Sequence, residues 1–245
     1  MYAIGNNLSL VIQQIQKLAF QIQFLKHFLF FTMKNLLLSL FFIALLASCQ
    51  QRETLPDTLP MQVAKAYGFE NWDQVKSIGY TWNVQRDSAT VMSRTWKWNI
   101  QDSTVSYSGA DTSFTYSLMA DSLPKQDGAF INDKYWALMP FQLAWDKGYT
   151  YEVTEKANSP IQGLPSTKLS ILYGAEGGYT PGDAYDLYLN TENQILEWTF
   201  RKGNAPEGRT WTWEKAVPYG SIQISLEHKD PEGKRFIWLT DVTIN

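Results

Sequence analysis

Cysteine and histidine are nearly missing from this chain: 245 residues hold one of the first, Cys49, and two of the second, His27 and His228. A structural zinc site draws several ligands from those two residue types, so none is expected here. With a single thiol, a disulfide framework and dithiol redox chemistry are excluded as well. No Gly-x-Ser-x-Gly stretch occurs to present a nucleophilic serine, and no EF-hand spacing occurs to hold calcium. No cofactor is expected. Long apolar runs are also scarce, and the clearest of them, Leu36–Ala47 in "KNLLLSLFFIALLASCQQ", ends beside the lone cysteine.

Twelve helical residues rise only about 18 Å, too little for a hydrocarbon core of roughly 30 Å. The length suits the apolar region of a signal peptide, with Lys34 as its positive flank and small residues at its end. Lys34 and Asn35 interrupt any longer span running from Phe28. Leu46-Ala47-Ser48-Cys49 resembles the bacterial lipobox. That resemblance implies cleavage after Ser48 and acylation of Cys49, so that lipid becomes the membrane anchor. Met33 opens a well-formed signal, and residues 1–32 read as an N-terminal extension outside the true start. The expected organisation is therefore extension 1–32, signal peptide 33–48, lipidated tether 49–60 and one domain over 61–245. Gln50, rather than aspartate, follows the cysteine, which resembles lipoproteins sent to the outer membrane. The periplasmic side is expected, because "QQRETLPD" lacks the acidic run associated with surface export.

Positive charge is in short supply too. Beyond residue 48 stand 18 Lys+Arg against 24 Asp+Glu. Nucleic acid, which needs a basic stripe, is excluded as a partner. Aromatic residues, by contrast, are abundant there: all 10 Trp and 12 of the 13 Tyr. Such side chains couple a large apolar body to a polar tip and suit sheet faces, clefts and interfaces.

The domain begins with a proline-broken tether and a helix near Leu59–Tyr67, with Asp57 or Thr58 as N-cap, Pro60 near its first turn and Gly68 past its end. From Ser77 the period becomes two. "IGYTWNV" alternates as a half-buried strand, and "VMSRTWKWNI" puts Met92, Arg94, Trp96, Trp98 and Ile100 on one face. "VSYSG" and "SFTYSLM" continue a meander. After "DSLPKQDG", one or two helical turns are expected from Asn132 or Asp133 to Leu138, stopped by Pro140. Seven further strands follow: Tyr149–Glu155, Lys168–Gly174, Ala184–Asn190, Ile195–Lys202, Arg209–Val217, Ser221–His228 and Phe236–Ile244. The class is all-β with minor α: about eleven antiparallel strands in one large curved sheet or barrel, whose edges need cover.

A lipobox, one helix, four strands, a helical break and about seven more strands resembles the lipoprotein-carrier superfamily of LolA and LolB. The resemblance implies a strongly bent antiparallel half-barrel with small covering helices, its concave side holding acyl chains. "FINDKYWALMPFQLAWDKG", "YGAEGGYTPGDAYDLYLN" and "ILEWTFRKG" look, more closely, like a family of Bacteroidetes-type lipoproteins, a likeness that implies no particular activity. The carrier superfamily also uses an arginine near its lid, and Arg86, Arg94 and Arg201 are the positions open to that role.

Among chemistry-bearing residues, His228 reads as a surface histidine before a turn. Asp133, Asp146, Asp183 and Asp186 are the carboxylates from which an acid–base pair or a calcium site would be drawn. Asp183 follows a Pro-Gly turn and Asp133 suits a helix N-cap, so structural duty is the expected role. The aromatic pairs lead elsewhere. Tyr80 with Trp82, Trp96 with Trp98 and Trp211 with Trp213 are i,i+2 pairs, each on one face of its strand. With Trp136 and Trp198 they are the expected lining for a hydrophobic or amphiphilic ligand, bound without catalysis at the envelope. The same faces would fill a core if packed, or form a glycan or protein platform if turned outward.

Overall fold

The structure is a computed structural model that describes residues 57–176 and 181–245. The extension, the signal peptide, Cys49 and most of the tether lie outside the described residues. Leu55–Asn245 forms one compact unit.

Helix α1, Leu59–Ala66, starts after an extended Thr58 with Pro60 in its first turn, and its C-cap is Tyr67. Gly68 then takes φ +93°, and a Cβ there would stand 2.2 Å from the Ser221 carbonyl oxygen, so only glycine fits. A short 3₁₀ segment, Phe69–Gln74, leads into the strands. These are β1 Ser77–Gln85, β2 Val91–Asn99, β3 Thr104–Ser108 and β4 Ser113–Ser117, followed by helix α2, Asp127–Trp145. Then come β5 Tyr149–Asn158, β6 Pro165–Tyr173, β7 Ala184–Leu189, β8 Ile195–Arg201, β9 Arg209–Thr212, β10 Glu214–Tyr219, β11 Ile222–Lys229 and β12 Arg235–Ile244.

The strands form a β-dominated half-barrel that does not close. It is built as two antiparallel sheets, one of seven strands in the order β10-β11-β12-β1-β2-β3-β4 and one of five in the order β5-β6-β7-β8-β9. The β-dominated half-barrel is as expected, with twelve strands against about eleven; the single curved sheet expected is divided in two. The extra strand and the division have one cause. The single strand expected over Arg209–Val217 bends at Trp213, whose N–H still bonds Leu196 of the five-stranded sheet while Glu214 already pairs with Glu227 of the other. Trp213 is buried, with its ring 5.3 Å from that of Trp198 and 4.4 Å from that of His228. A corner driven by burial leaves an unbroken alternation in the sequence.

Helix α2 is the central element. Phe130, Ile131, Tyr135, Trp136, Leu138, Met139, Phe141 and Leu143 are all buried, so the helix is apolar all round. The sequence suggested only Asn132 or Asp133 to Leu138, with Pro140 as the stop. Instead the helix runs from Asp127 to Trp145 through a kink at Leu138 (φ −128°, ψ 19°), with Pro140 inside. An interior proline costs about 3 kcal/mol. Burial of Phe130, Leu138, Met139 and Phe141, at roughly 1.5–3 kcal/mol each, outweighs it.

Candidate functional site

Pro140 has no N–H for the carbonyl four residues earlier, that of Trp136. The His228 ring stands at this carbonyl: its Nε2 lies 3.1 Å from the Trp136 oxygen and its Nδ1 3.1 Å from the Thr212 oxygen, and the neutral ring donates to one of the two, according to its tautomer. His228 is therefore not a surface residue before a turn, as its sequence setting suggested, but fully buried beneath the helix. Burial pushes its pKa down to about 4, against the pull of the two carbonyls and of Glu214 and Glu227. The kinked helix is thus fixed to the corner between the sheets.

A second tie fixes the helix to β2. Arg94 donates Nε to Asp133 Oδ2 at 2.7 Å and Nη2 to Oδ1 at 2.6 Å, and Trp96 Nε1 donates to Oδ2 at 2.8 Å. Asn132 adds a 3.0 Å bond, and the Arg94 guanidinium lies 4.3 Å over the Trp82 ring. Asp133 is therefore not an N-cap; it lies within α2, buried and paired. Burial raises its pKa, opposed by Arg94, Asn132 and Trp96. Of the three arginines open to the lid role, only Arg94 bonds the covering helix. Arg201 pairs with Asp186 at 2.9 Å, and Arg86 reaches only the Met92 sulfur at 3.7 Å.

The carboxylates considered as an acid–base set are each engaged by other groups. Asp186 holds Arg201, and Asp183 accepts the Gly203 N–H at 2.7 Å. Asp146 accepts the hydroxyls of Tyr135 at 3.1 Å and Tyr173 at 2.7 Å. Glu197, which drew no notice in the sequence, is fully buried and accepts Ser159 Oγ and the N–H groups of Ile161 and Gln162 at 2.7–2.8 Å. It anchors the β5–β6 loop. Among the described residues no group of three or more His, Cys, Asp or Glu is placed to hold a metal.

The aromatic side chains divide into two clusters. Phe69, Trp72, Trp98, Phe141 and Trp145 pack around the C-terminal half of α2, with Trp72 4.6 Å from Trp145 and 4.9 Å from Phe141. The other cluster surrounds Trp136, whose ring meets Trp198 at 4.7 Å and Trp211 at 4.9 Å, both edge-on. Tyr185 stacks on Trp198 at 5.4 Å. Within this second cluster lies a cavity of about 260 Å³. Helix α2 gives it Gly128, Ile131, Asn132, Tyr135 and Trp136, and the five-stranded sheet gives Tyr185, Trp198, Phe200 and Trp211, with Asp183 beside them. The Trp198 Nε1 is buried with no hydrogen-bond partner.

Of the eight aromatics expected to line a ligand site, Trp136, Trp198 and Trp211 do line this cavity. Tyr80, Trp82, Trp96 and Trp213 are buried elsewhere and Trp98 is half-buried in the other cluster. No tryptophan among the ten is fully exposed; Trp72, Trp98, Trp145 and Trp238 are half-buried and the other six are buried. Ile131, Tyr185 and Phe200 were not singled out, although Tyr185 and Phe200 are directly opposite in the β7–β8 register.

A second concavity, about 670 Å³, opens along the β1–β2 and β11–β12 turns. Trp211 belongs to its wall as well.

No family model matches the sequence, and no curated protein matches it. Several solved structures are similar, two of them as follows. A DUF1329 family protein from Desulfovibrio piger has 11% identity and a TM-score of 0.43, over 78% of this chain and 94% of its own. A LolA superfamily protein from Nitrosomonas europaea has 7% identity and a TM-score of 0.44, over 76% of this chain and 93% of its own. No described helix is long and apolar enough to cross a membrane.

Proposed function

We propose that this protein binds the apolar part of a small hydrophobic or amphiphilic molecule, non-catalytically, in the cavity between α2 and the five-stranded sheet. The observation that carries this reading is an unfilled space of about 260 Å³ walled by Trp136, Tyr185, Trp198, Phe200 and Trp211. An apolar cavity of about 150 Å³ already takes up benzene, whereas sites for drug-sized ligands run from about 300 Å³ upward. The volume therefore favours one ring or one short alkyl segment over several acyl chains. Each CH₂ moved from water into such a site contributes about 0.8 kcal/mol. Engagement of Asp133, Asp146, Asp183 and Asp186 in ion pairs, turns and tyrosine bonds supports binding over hydrolysis. The envelope location, with a lipid anchor at Cys49 on the periplasmic side of the outer membrane, belongs to the same proposal and rests on the lipobox resemblance.

Gly128 provides the test. It lines the cavity, and a Cβ built there meets no atom within 4 Å. Gly128 is exposed at the edge of the cavity, so Gly128→Leu adds a side chain there without a clash. Calorimetric titration of the Leu55–Asn245 unit with decanol, kept below its solubility limit, should give saturable one-to-one binding. That binding should be lost in Gly128→Leu while the melting temperature is kept. Absence of saturable binding to the unsubstituted unit, or equal binding to the variant, would overturn the reading.

A further inference from the structure

The larger groove beside the cavity differs from it in chemistry. It is lined by Arg86, Arg209, Lys234 and Arg235, together with Asp87, Asp230 and Glu232. None of the four cations forms an ion pair with a carboxylate among the described residues. Asp87 accepts the N–H groups of Ala89 and Thr90 at 2.9 and 2.8 Å and Asp230 accepts that of Lys234 at 2.8 Å, so both carboxylates serve their own turns while keeping their charge, and the groove carries four cations against three acids. Three separate turns thus bring unpaired positive charge to one groove of a protein whose net charge is negative.

The contact between groove and cavity is Trp211, which lines both. Phe236 stacks on it at 5.5 Å, nearly parallel. The Arg209 guanidinium lies 5.1 Å from the Trp211 ring centre and 5.6 Å from that of Phe236. A guanidinium held beside aromatic rings can still offer its N–H groups to an anion. Trp211 thus borders the aromatic cavity and has an arginine beside its ring.

We infer that the groove takes an anionic headgroup and that the ligand is a single-chain anionic amphiphile, its alkyl segment in the cavity and its carboxylate or phosphate among Arg86, Arg209, Lys234 and Arg235. This rests on the reading of the cavity as a lipophile site and adds to it the sign of the headgroup. A carboxylate and a phosphate both suit unpaired guanidinium edges, so the two are separated by experiment.

The test compares three probes of one chain length, decanoate, decyl phosphate and decanol, titrated calorimetrically into the Leu55–Asn245 unit at low ionic strength. At least one anion should bind about tenfold more tightly than decanol, since several exposed charge contacts act together. The ratio should collapse toward one at about 0.5 M salt, where screening acts within a few Å. It should also collapse in Arg86→Gln/Lys234→Gln, which alters two exposed side chains that hold no carboxylate. The tighter anion identifies the headgroup. Decanol binding as tightly as both anions, or a preference that survives the double substitution, would overturn the headgroup assignment and leave the lipophile site standing. No binding by any of the three would instead bring down the cavity reading itself.

Discussion

His228 is the residue whose setting departs furthest from its sequence context. "SLEHKDPEG" reads as a strand end before a turn, which is where it lies; what the local pattern cannot carry is that the strand runs under the kinked helix. Its pKa of about 4, against about 6.5 in an unfolded chain, has a consequence for stability. A base whose pKa is lowered by folding binds fewer protons when folded, so stability rises with pH through that window. This contribution is complete above about pH 6.5 and is lost progressively as pH falls toward 4, by about 3 kcal/mol in all. Denaturant midpoints measured from pH 7 to pH 4 should decline, and His228→Gln should flatten the decline over that range. An unchanged slope in the variant would assign the acid sensitivity to other groups. Asp133 acts in the opposite sense, because burial raises its pKa.

Arg94 and Asp133 allow a second test at this scale. Their pairing was hidden in the sequence because they are 39 positions apart, though Arg94 had been placed on the face of Trp96, which is where it is found. Removing the arginine alone, as in Arg94→Met, leaves a buried carboxylate unpaired and should cost about 3–5 kcal/mol. Arg94→Met with Asp133→Leu should recover most of that loss. Failure of the double variant to recover would mean that the Trp96 and Asn132 bonds to Asp133 matter more than the ion pair.

Among the elements, the strands were legible because a half-buried sheet writes a period of two into the sequence. Every expected strand has a counterpart, and α1 begins and ends at the residues its proline and glycine mark. Helix α2 was legible only in part. Apolar residues surround it on all sides, so it has no helical periodicity to find, and its proline argues for a stop that packing overrides. The corner at Trp213 was illegible for a related reason, since alternation continues through it. Trp213→Ala should remove the wedge between Trp198 and His228 and cost about 3–5 kcal/mol, read by urea denaturation. A cost below about 1 kcal/mol would show that the chain turns between the sheets without it.

For the molecule as a whole, the aromatic richness of the sequence left three destinations open, and the structure uses two. Most of the tryptophans fill core, and Trp136, Trp198 and Trp211 border an unfilled space. No tryptophan is fully exposed, so aqueous iodide should quench the protein's tryptophan fluorescence only weakly. Quenching comparable to that of a free indole would contradict this packing. Three cavity positions were visible in advance as aromatic strand or helix residues. Gly128 and the cationic groove were not, because one is the absence of a side chain and the other assembles from distant turns.

The central claim is that the cavity holds the apolar part of a natural small molecule. It is tested most directly by producing the Leu55–Asn245 unit in a bacterial periplasm and weighing it intact by native mass spectrometry, beside its Gly128→Leu variant. A stoichiometric added mass, released into organic solvent, is expected on the unsubstituted unit and none on the variant. Bare protein in both, together with no uptake of decanol or decanoate on titration, would contradict it.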